Sequence, residues 1–443
     1  MNNKTNRLIS LFLFLLVGGF YICLSAKDVE FCKNFCDSTL RLDYIFSGNY
    51  SEQRISLDKL NMIPRWYGRH SKLDKLPIRG NGQITVRSHA TGDTIYRTSF
   101  STLFQEWLTY EEAKHIDKAF ENVFLVPMPR NTVDVTVELR NNRQEITTSM
   151  THTINPKDIL IKHIGISNIT PYETLLSARD TSKCIHIAFV AEGYTKEEMA
   201  TFVNDAKIAT DAIFNHEPFK SNADRFNVVA VESVSKETGT SIPSHGIWKN
   251  TVLGSHFDTF YSDRYLTTLN LKALHDILAG TPYEHIIVLV NTKEYGGGGI
   301  LNSYNLSMTH HPSYKQVVVH EFGHSFAGLA DEYAYENEAI PMYPTCVEPW
   351  EKNITTLVDF HDKWEDMILP STPIPTPVNM PKSKRKHKGN GSFHPLGVYE
   401  GAGYSLKGVY RPAYDCRMRS NATPEFCPAC QKALNDLIDF YTE

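Results

Sequence analysis

The sequence predicts an α/β domain preceded by an all-β, sandwich-like domain. Over residues 27–160 the apolar residues mostly alternate with polar ones, which is the period of half-buried strands. From Cys184 onward, strand-like and helix-like segments follow one another, as is typical of α/β domains. With 443 residues, of which 41% are hydrophobic and 11% aromatic, the chain is long enough for two or three globular domains. We therefore place an N-terminal β domain at 27–160 and an α/β domain at 161–443.

The N-terminus has the outline of a signal peptide, which we place at residues 1–26. Lys4 and Arg7 precede a nearly uncharged apolar run that leads to Ala26, after which cleavage would occur. The mature chain would then be exported to the periplasm, the cell surface or the medium. Two alternatives stay open: retention of the apolar run as an anchor, or lipidation at Cys23. The membrane would be a partner only in those two cases.

The charge pattern gives no reason to expect a nucleic-acid partner. The formal net charge is −5 at pH 7, whereas binding to phosphate backbones relies on clustered positive charge. One basic run, residues 382–389, is predicted to be a solvated loop. A role in binding a substrate or a surface is the alternative.

Signal-peptide removal would leave an odd number of cysteines. In an exported chain some of these would oxidise, with at least one left free or in an intermolecular bond. Cys427 and Cys430 have the spacing of a redox or structural-zinc pair. Because no second such pair lies nearby, we predict a local disulfide, or two disulfides to Cys346 and Cys416, rather than a second metal site. The cysteines left after signal-peptide removal would be Cys32, Cys36, Cys184, Cys346, Cys416, Cys427 and Cys430.

The apolar patterns also define individual elements. Residues 133–139 and 146–154 alternate on either side of a polar stretch and predict a hairpin. Further along, buried strands alternate with amphipathic helices. The predicted strands of the α/β domain are 185–190, 226–234 and 286–290, and its predicted helices are 196–214, 313–327 and 428–441.

Four consecutive glycines, residues 296–299, follow Tyr295 at the end of a predicted strand. No Lys-Ser/Thr pair and no helix follow them, which disfavours a phosphate-binding loop. We predict an exposed strand edge with which an extended peptide could pair. A plain flexible loop is the alternative.

The predicted helix 313–327 carries a His-Glu-x-x-His pattern. His320 and His324 are four residues apart, so both imidazoles lie on one face and can bind one metal ion. Glu321 lies beside them. This pattern is typical of zinc sites, in which a catalytic zinc usually takes three protein ligands and keeps one position open.

The third ligand is predicted to come from the segment after the helix. Gly328 is well suited to end the helix, because glycine readily adopts the left-handed conformation. The chain then reaches Asp331, whose carboxylate is our preferred third ligand, with Glu332 as the alternative.

Four blocks of the sequence carry a joint resemblance: residues 295–299, 320–333, 400–404 and 416–420. Together they resemble the IgA peptidase family of zinc metallopeptidases. The resemblance covers most of residues 180–443, and the preceding region is similar to the smaller β domain that often precedes the catalytic domain in that family. It implies a metzincin-like α/β fold, a zinc cofactor and peptidase activity.

The chain departs from the wider metzincin group in one respect. In that group a glycine usually lies three residues after the second histidine, and the last ligand lies six residues after it. Here Gly328 lies four residues after His324, and Asp331 lies seven residues after it. Asp331 also replaces the usual histidine. Met418 resembles the methionine of the turn that underlies the metal in that group.

These observations predict an exported zinc-dependent endopeptidase acting on a protein or peptide, host and extracellular proteins included. Glu321 would be the general base, and Tyr404 and Tyr410 are candidate donors to the oxyanion. One alternative is an adhesin or glycan-binding surface protein with a structural metal. Glu321 argues against it, since a structural site needs no base. A zinc amidase is the other alternative.

Overall fold

The computed structural model describes residues 29–335, 342–378 and 396–443. The predicted signal peptide and the basic run at 382–389 lie outside the described residues. Across the described ranges, no helix combines the length and the apolar character needed to cross a membrane.

Sixteen strands and six α-helices make up the described part of the chain. The strands are β1 (Phe35–Gly48), β2 (Gln53–Pro64), β3 (Gly82–Ser88), β4 (Thr94–Phe100), β5 (Lys118–Pro129), β6 (Val133–Arg140), β7 (Ile146–Ile154), β8 (Lys162–His163), β9 (Tyr172–Leu176), β10 (Ile185–Glu192), β11 (Phe226–Val231), β12 (His285–Val290), β13 (Gly297–Ile300), β14 (Tyr304–Met308), β15 (Tyr399–Ala402) and β16 (Ser405–Arg411). The helices are α1 (Phe31–Asn34), α2 (Leu103–Trp107), α3 (Met199–Phe214), α4 (Leu271–Leu278), α5 (Tyr314–Ala327) and α6 (Pro428–Thr442).

The N-terminal domain contains two four-stranded sheets, in the orders β5-β1-β2-β8 and β4-β3-β6-β7. An aromatic cluster joins them: the Phe100 ring lies 4.2 Å from that of Phe124 and 6.3 Å from that of Phe46. The predicted hairpin is confirmed, because β6 and β7 pair antiparallel. Along β6 buried and half-buried residues alternate, as expected for a strand with one face on a core.

A six-stranded mixed sheet forms the centre of the C-terminal domain, in the order β13-β14-β12-β10-β11-β9. Strands β14, β12, β10 and β11 are parallel, and antiparallel strands β13 and β9 form the edges. Every residue of β10 and β12 is buried. Parallel strands of this kind need a covering layer on both faces.

The two faces of this sheet are covered by different parts of the chain. Ile187 and Phe189 of β10 belong to a core that includes residues of α3, α5 and α6. Ala188 and Val190, which point to the opposite face, belong to a core shared with α4 and with the N-terminal domain. The core on this second face of the sheet is therefore continuous with the core of the N-terminal domain, so the two domains pack against each other.

Ion pairs also cross between the two domains. Arg41 of β1, which is 1% exposed, lies 2.6 Å from both Asp43 and Asp276 of α4. Lys272 of α4 lies 2.9 Å from Asp58 of β2. Since a buried guanidinium is costly without a partner, the Arg41 contacts favour the observed arrangement of the domains.

The remaining predicted helices and strands are confirmed with small differences. Helix α3 is preceded by one 3₁₀ turn at Lys196–Glu198, so that together they cover the predicted 196–214. The strand predicted at 226–234 ends earlier, at Val231. After it, the Ser233 hydroxyl donates to the carbonyl of Ala191.

The disulfide prediction is wrong, because the seven cysteines of the described residues are all free. The sulfurs of Cys416 and Cys430 lie 3.7 Å apart, whereas a disulfide joins sulfurs about 2.05 Å apart. Cys346 is exposed and lies beside Arg143, from the other domain. Sequence spacing could not show this arrangement, since it depends on contacts between distant parts of the chain.

Candidate metal centre

Helix α5 places the His-Glu-x-x-His pattern against the central sheet. Its buried Val317, Val318 and Val319 are β-branched residues, which have a modest helix propensity. Packing against β13 and β14 therefore stabilises the helix. It ends where predicted, at Gly328, whose φ of 57° and ψ of 33° are left-handed.

Replacing Gly328 by alanine should destabilise the protein by about 2–5 kcal/mol. A left-handed alanine costs about 1–2 kcal/mol, and its β-carbon would lie 2.4 Å from the Trp350 ring, which adds about 1–3 kcal/mol of overpacking. Gly92→Ala is the matched control, because Gly92 has a φ of +75° and open space around it. Denaturant unfolding of both variants measures the difference. Equal losses would show that Trp350 makes no contribution.

Three predicted ligand side chains converge at the end of α5. The Nε2 atoms of His320 and His324 lie 3.0 Å apart. Asp331 Oδ1 lies 3.1 Å from the first and 3.3 Å from the second. All three side chains are mostly buried, with at most 17% exposed.

Backbone contacts orient both imidazoles. His320 Nδ1 donates to the carbonyl of Arg417 at 3.0 Å, and His324 Nδ1 donates to that of Leu329 at 2.5 Å. Each neutral ring therefore carries its proton on Nδ1 and presents the Nε2 lone pair to the other ring. Hydrogen bonds of this kind, on the nitrogen that faces away from the metal, are typical of metal-binding histidines.

The charges around these atoms favour a cation between them. Asp331 Oδ1 is buried and accepts no hydrogen bond. Burial alone would raise the pKa of Asp331, but the two imidazoles lower it well below its usual value. Burial would lower the pKa of His324, yet the charge of Asp331 raises it to about 9. Two imidazole nitrogens and one carboxylate oxygen suit a divalent metal ion.

Tyr404 holds Asp331 in place. Its hydroxyl donates to Asp331 Oδ2 at 2.5 Å and lies 3.1 Å from the hydroxyl of Tyr333. The prediction of Tyr404 as an oxyanion donor is therefore not supported, since this hydroxyl is engaged with a candidate ligand. Tyr410 lies in β16, where it packs against the hydrophobic core and its backbone pairs with Thr355.

Met418 packs against α5 between the two histidines. It is fully buried, and a β-carbon on Gly323 would approach its sulfur to 2.7 Å. The Met418 carbonyl accepts from the N–H of Glu332 at 2.9 Å. Met418 therefore contacts the helix between the two histidines through its side chain and holds the backbone after Asp331 through its carbonyl.

Glu332, the alternative third ligand, points away from the histidines. Its side chain is fully buried, and its Oε1 lies 3.0 Å from both Asn353 Nδ2 and Cys430 Sγ. Asp331 and Glu332 are adjacent in sequence but face different groups. The geometry therefore favours Asp331 as the ligand.

Glu321 lies between the histidines and the edge strand β13. A β-carbon on Gly297 would lie 2.8 Å from Glu321 Oε1, so the absence of a side chain there leaves room for the carboxylate. Burial raises the pKa of Glu321, while the neighbouring His320 and His324 lower it. The carboxylate is thus close to the candidate ligand atoms without being one of the three that converge.

The glycine run forms an edge strand, as predicted, but part of that edge is covered. Gly297 donates to the carbonyl of Arg264 and accepts from the N–H of Leu266, both at 3.3 Å. A peptide could therefore not pair with Gly297 without displacing this segment. The predicted peptide pairing is limited to the positions beyond Gly297.

Sequence reasoning missed an acidic residue of the N-terminal domain. Glu106 of α2 accepts a hydrogen bond from the Tyr265 hydroxyl at 2.6 Å. Burial raises the pKa of Glu106 to about 7. The charge of Asp331 also raises this pKa, whereas that of His324 lowers it. No sequence signal marks Glu106, because only the docking of the two domains brings it near the candidate metal centre.

Comparisons with known proteins agree with this geometry. The family model described as IgA Peptidase M64 matches residues 174–392 and 388–438, and the model described as Peptidase M64 N-terminus matches residues 30–151. No curated protein matches the chain. The matched ranges contain the converging ligands and most of the central sheet and of the N-terminal sheets. The chain therefore belongs to the IgA peptidase M64 family, and it is a metallopeptidase that hydrolyses peptide bonds and has a separate N-terminal domain.

Proposed function

We propose that this metallopeptidase is an exported, zinc-dependent endopeptidase, with His320, His324 and Asp331 as zinc ligands and Glu321 as general base. The observation that carries the proposal is the convergence of two imidazole lone pairs and one carboxylate oxygen within 3.3 Å. Three protein ligands of this kind leave one position open, as in catalytic zinc sites.

When bound, zinc acts as a Lewis acid and lowers the pKa of water to about 7. Glu321 accepts a proton from the water whose oxygen attacks the scissile carbonyl carbon. It then delivers that proton to the leaving nitrogen as the peptide bond breaks. A carboxyl whose pKa is raised by burial is better suited to both proton transfers near neutral pH than a carboxyl of ordinary pKa.

The position of Met418 beneath α5 supports a metzincin-like arrangement, although the ligand segment differs from that group in length and in its third ligand. Family membership favours a peptide substrate over the amide of a cell wall or glycan. It also disfavours an adhesin whose metal is only structural. The apolar run before Ala26 supports export of the chain.

Removal of the metal tests this proposal directly. We expect dialysis against a chelator to abolish cleavage of a peptide mixture, and added zinc to restore it. Magnesium should not restore it, because it prefers oxygen ligands in octahedral geometry. Mass spectrometry of the cleaved peptides measures the activity, and the intact mass of the exported protein should correspond to a start at Lys27. Full cleavage by the metal-free chain would refute the zinc-dependent mechanism.

A further inference from the structure

We propose that Glu332, Cys416, Cys427 and Cys430 form a second zinc site, with a structural role. Their ligand atoms all lie within 4.8 Å of one another. None of these residues is more than 4% exposed. The group is separate from the histidine site and needs none of its ligands, so the inference does not depend on the proposed catalytic mechanism.

The separation of two of the sulfurs fits a tetrahedral metal better than a disulfide. Zinc–sulfur bonds of about 2.3 Å at tetrahedral angles place two sulfur ligands about 3.8 Å apart. The Cys416 and Cys430 sulfurs are 3.7 Å apart. Four protein ligands without an open position are the usual arrangement of structural zinc, and a set of three thiolates favours soft or borderline metals.

The carboxylate of Glu332 is incompletely satisfied without a metal. Asn353 donates to Oε1, whereas the buried Oε2 has no hydrogen-bond partner. Within residues 29–335, 342–378 and 396–443, no lysine, arginine or histidine forms an ion pair with it. Arg411 is near enough to interact electrostatically, but its Nη1 donates to the carbonyls of Glu400 and Gly401. A buried, unpaired carboxylate is costly, and a metal ion would remove that cost.

The backbone around the cysteines also favours thiolates. Cys427 is the N-cap of α6, and Cys430 lies in its first turn, where the helix dipole stabilises negative charge. The N–H of Cys427 points at the Cys416 sulfur at 3.3 Å. Hydrogen bonds from backbone N–H groups to sulfur are among the contacts that tune thiolate metal sites.

The second site would connect three segments that meet at the catalytic centre. Glu332 follows Asp331, Cys416 precedes Met418 by two residues, and the Cys427–Cys430 pair begins α6. Zinc at this site would therefore fix the third catalytic ligand and the methionine beneath α5 in one rigid unit. The arrangement would also keep the cysteines reduced in an oxidising compartment, since metal-bound thiolates are not available to form disulfides.

Metal counting on the full chain tests the inference. We expect about two zinc ions per wild-type chain and one in Asp331→Ala, which retains the cysteine site. Cys416→Ser combined with Cys430→Ser should lose one zinc. Cys184→Ser should lose none, because Cys184 is a buried free cysteine outside the cluster. An Asp331→Ala protein without any zinc would overturn the inference. If the wild-type chain bound only one zinc and Asp331→Ala retained it, the catalytic zinc would be refuted instead.

Cobalt substitution gives a second readout that does not depend on whether the double variant folds. Co²⁺ bound by the Asp331→Ala chain should show thiolate-to-cobalt charge-transfer absorption and the strong visible bands of a tetrahedral site. Glu332→Gln should shift the visible bands and leave the thiolate absorption in place. Absence of the charge-transfer absorption would overturn the inference. A thiol titration could also overturn it. If the unreduced, denatured chain had two thiols fewer than the same chain after reduction, a disulfide would be shown.

Discussion

Glu321→Gln should lower kcat/KM for peptide cleavage by about 10²- to 10⁴-fold, the range typical of losing a general base. Glutamine has nearly the same shape as glutamate but cannot accept the proton of the attacking water. Zinc content and thermal stability should remain those of the wild type, because Glu321 is not one of the converging ligand groups. Steady-state kinetics on a defined peptide, with zinc measured in the same sample, provides the comparison.

Glu197→Gln is the matched control for this experiment. Glu197 is an exposed acid at the start of the α3 region, and its substitution should leave kcat/KM within twofold of the wild-type value. If Glu321→Gln retained zinc and also retained near wild-type activity, another group would have to act as the base. If it lost zinc, its low activity would not report on proton transfer.

Asp331→Ala should remove the metal from the histidine site and abolish activity. Only two imidazoles would remain, and the positive charge of the ion would lose its anionic partner. We expect the zinc affinity of this site to fall more than about 100-fold, which exceeds the roughly 10- to 100-fold loss usual for residues that contact a ligand rather than the metal. Competition with a zinc chelator measures the affinity.

Tyr404→Phe offers a graded comparison with Asp331→Ala. Its hydroxyl contacts Asp331 Oδ2 and not the converging ligand atoms, so we expect a loss within the 10- to 100-fold range. The order of effects, with Asp331→Ala the more severe, is the critical result. Wild-type zinc affinity in Asp331→Ala would mean that the third ligand is a different residue.

Local patterns in the sequence predicted the elements that depend on local interactions. The ends of α5 follow from the apolar run before His320 and from the left-handed Gly328, and the hairpin follows from alternation on either side of a polar stretch. His320 and His324 meet because helical spacing brings them together. Asp331 was predicted from a short chain distance, and here the turn after Gly328 does bring it to the histidines.

Contacts between distant parts of the chain were not predictable in the same way. The cysteine cluster combines Glu332, Cys416 and the pair at the start of α6, which no periodicity connects. The same is true of Glu106 and Tyr265, whose hydrogen bond exists because two domains pack together. The disulfide prediction failed for this reason. It used only the separation of cysteines along the chain, which gives no sign that a glutamate lies among them.

The shared core between the two domains limits how this protein can be divided. Because the core on one face of the central sheet is continuous with that of the N-terminal β domain, cutting the chain near residue 160 would expose apolar side chains of this core. A fragment beginning there would carry the candidate metal ligands together with an exposed apolar surface, which is prone to aggregation. The smallest piece able to fold independently is therefore larger than the part that carries out the chemistry. Exchanging the β domain between relatives would require a matching sheet surface as well as a suitable linker.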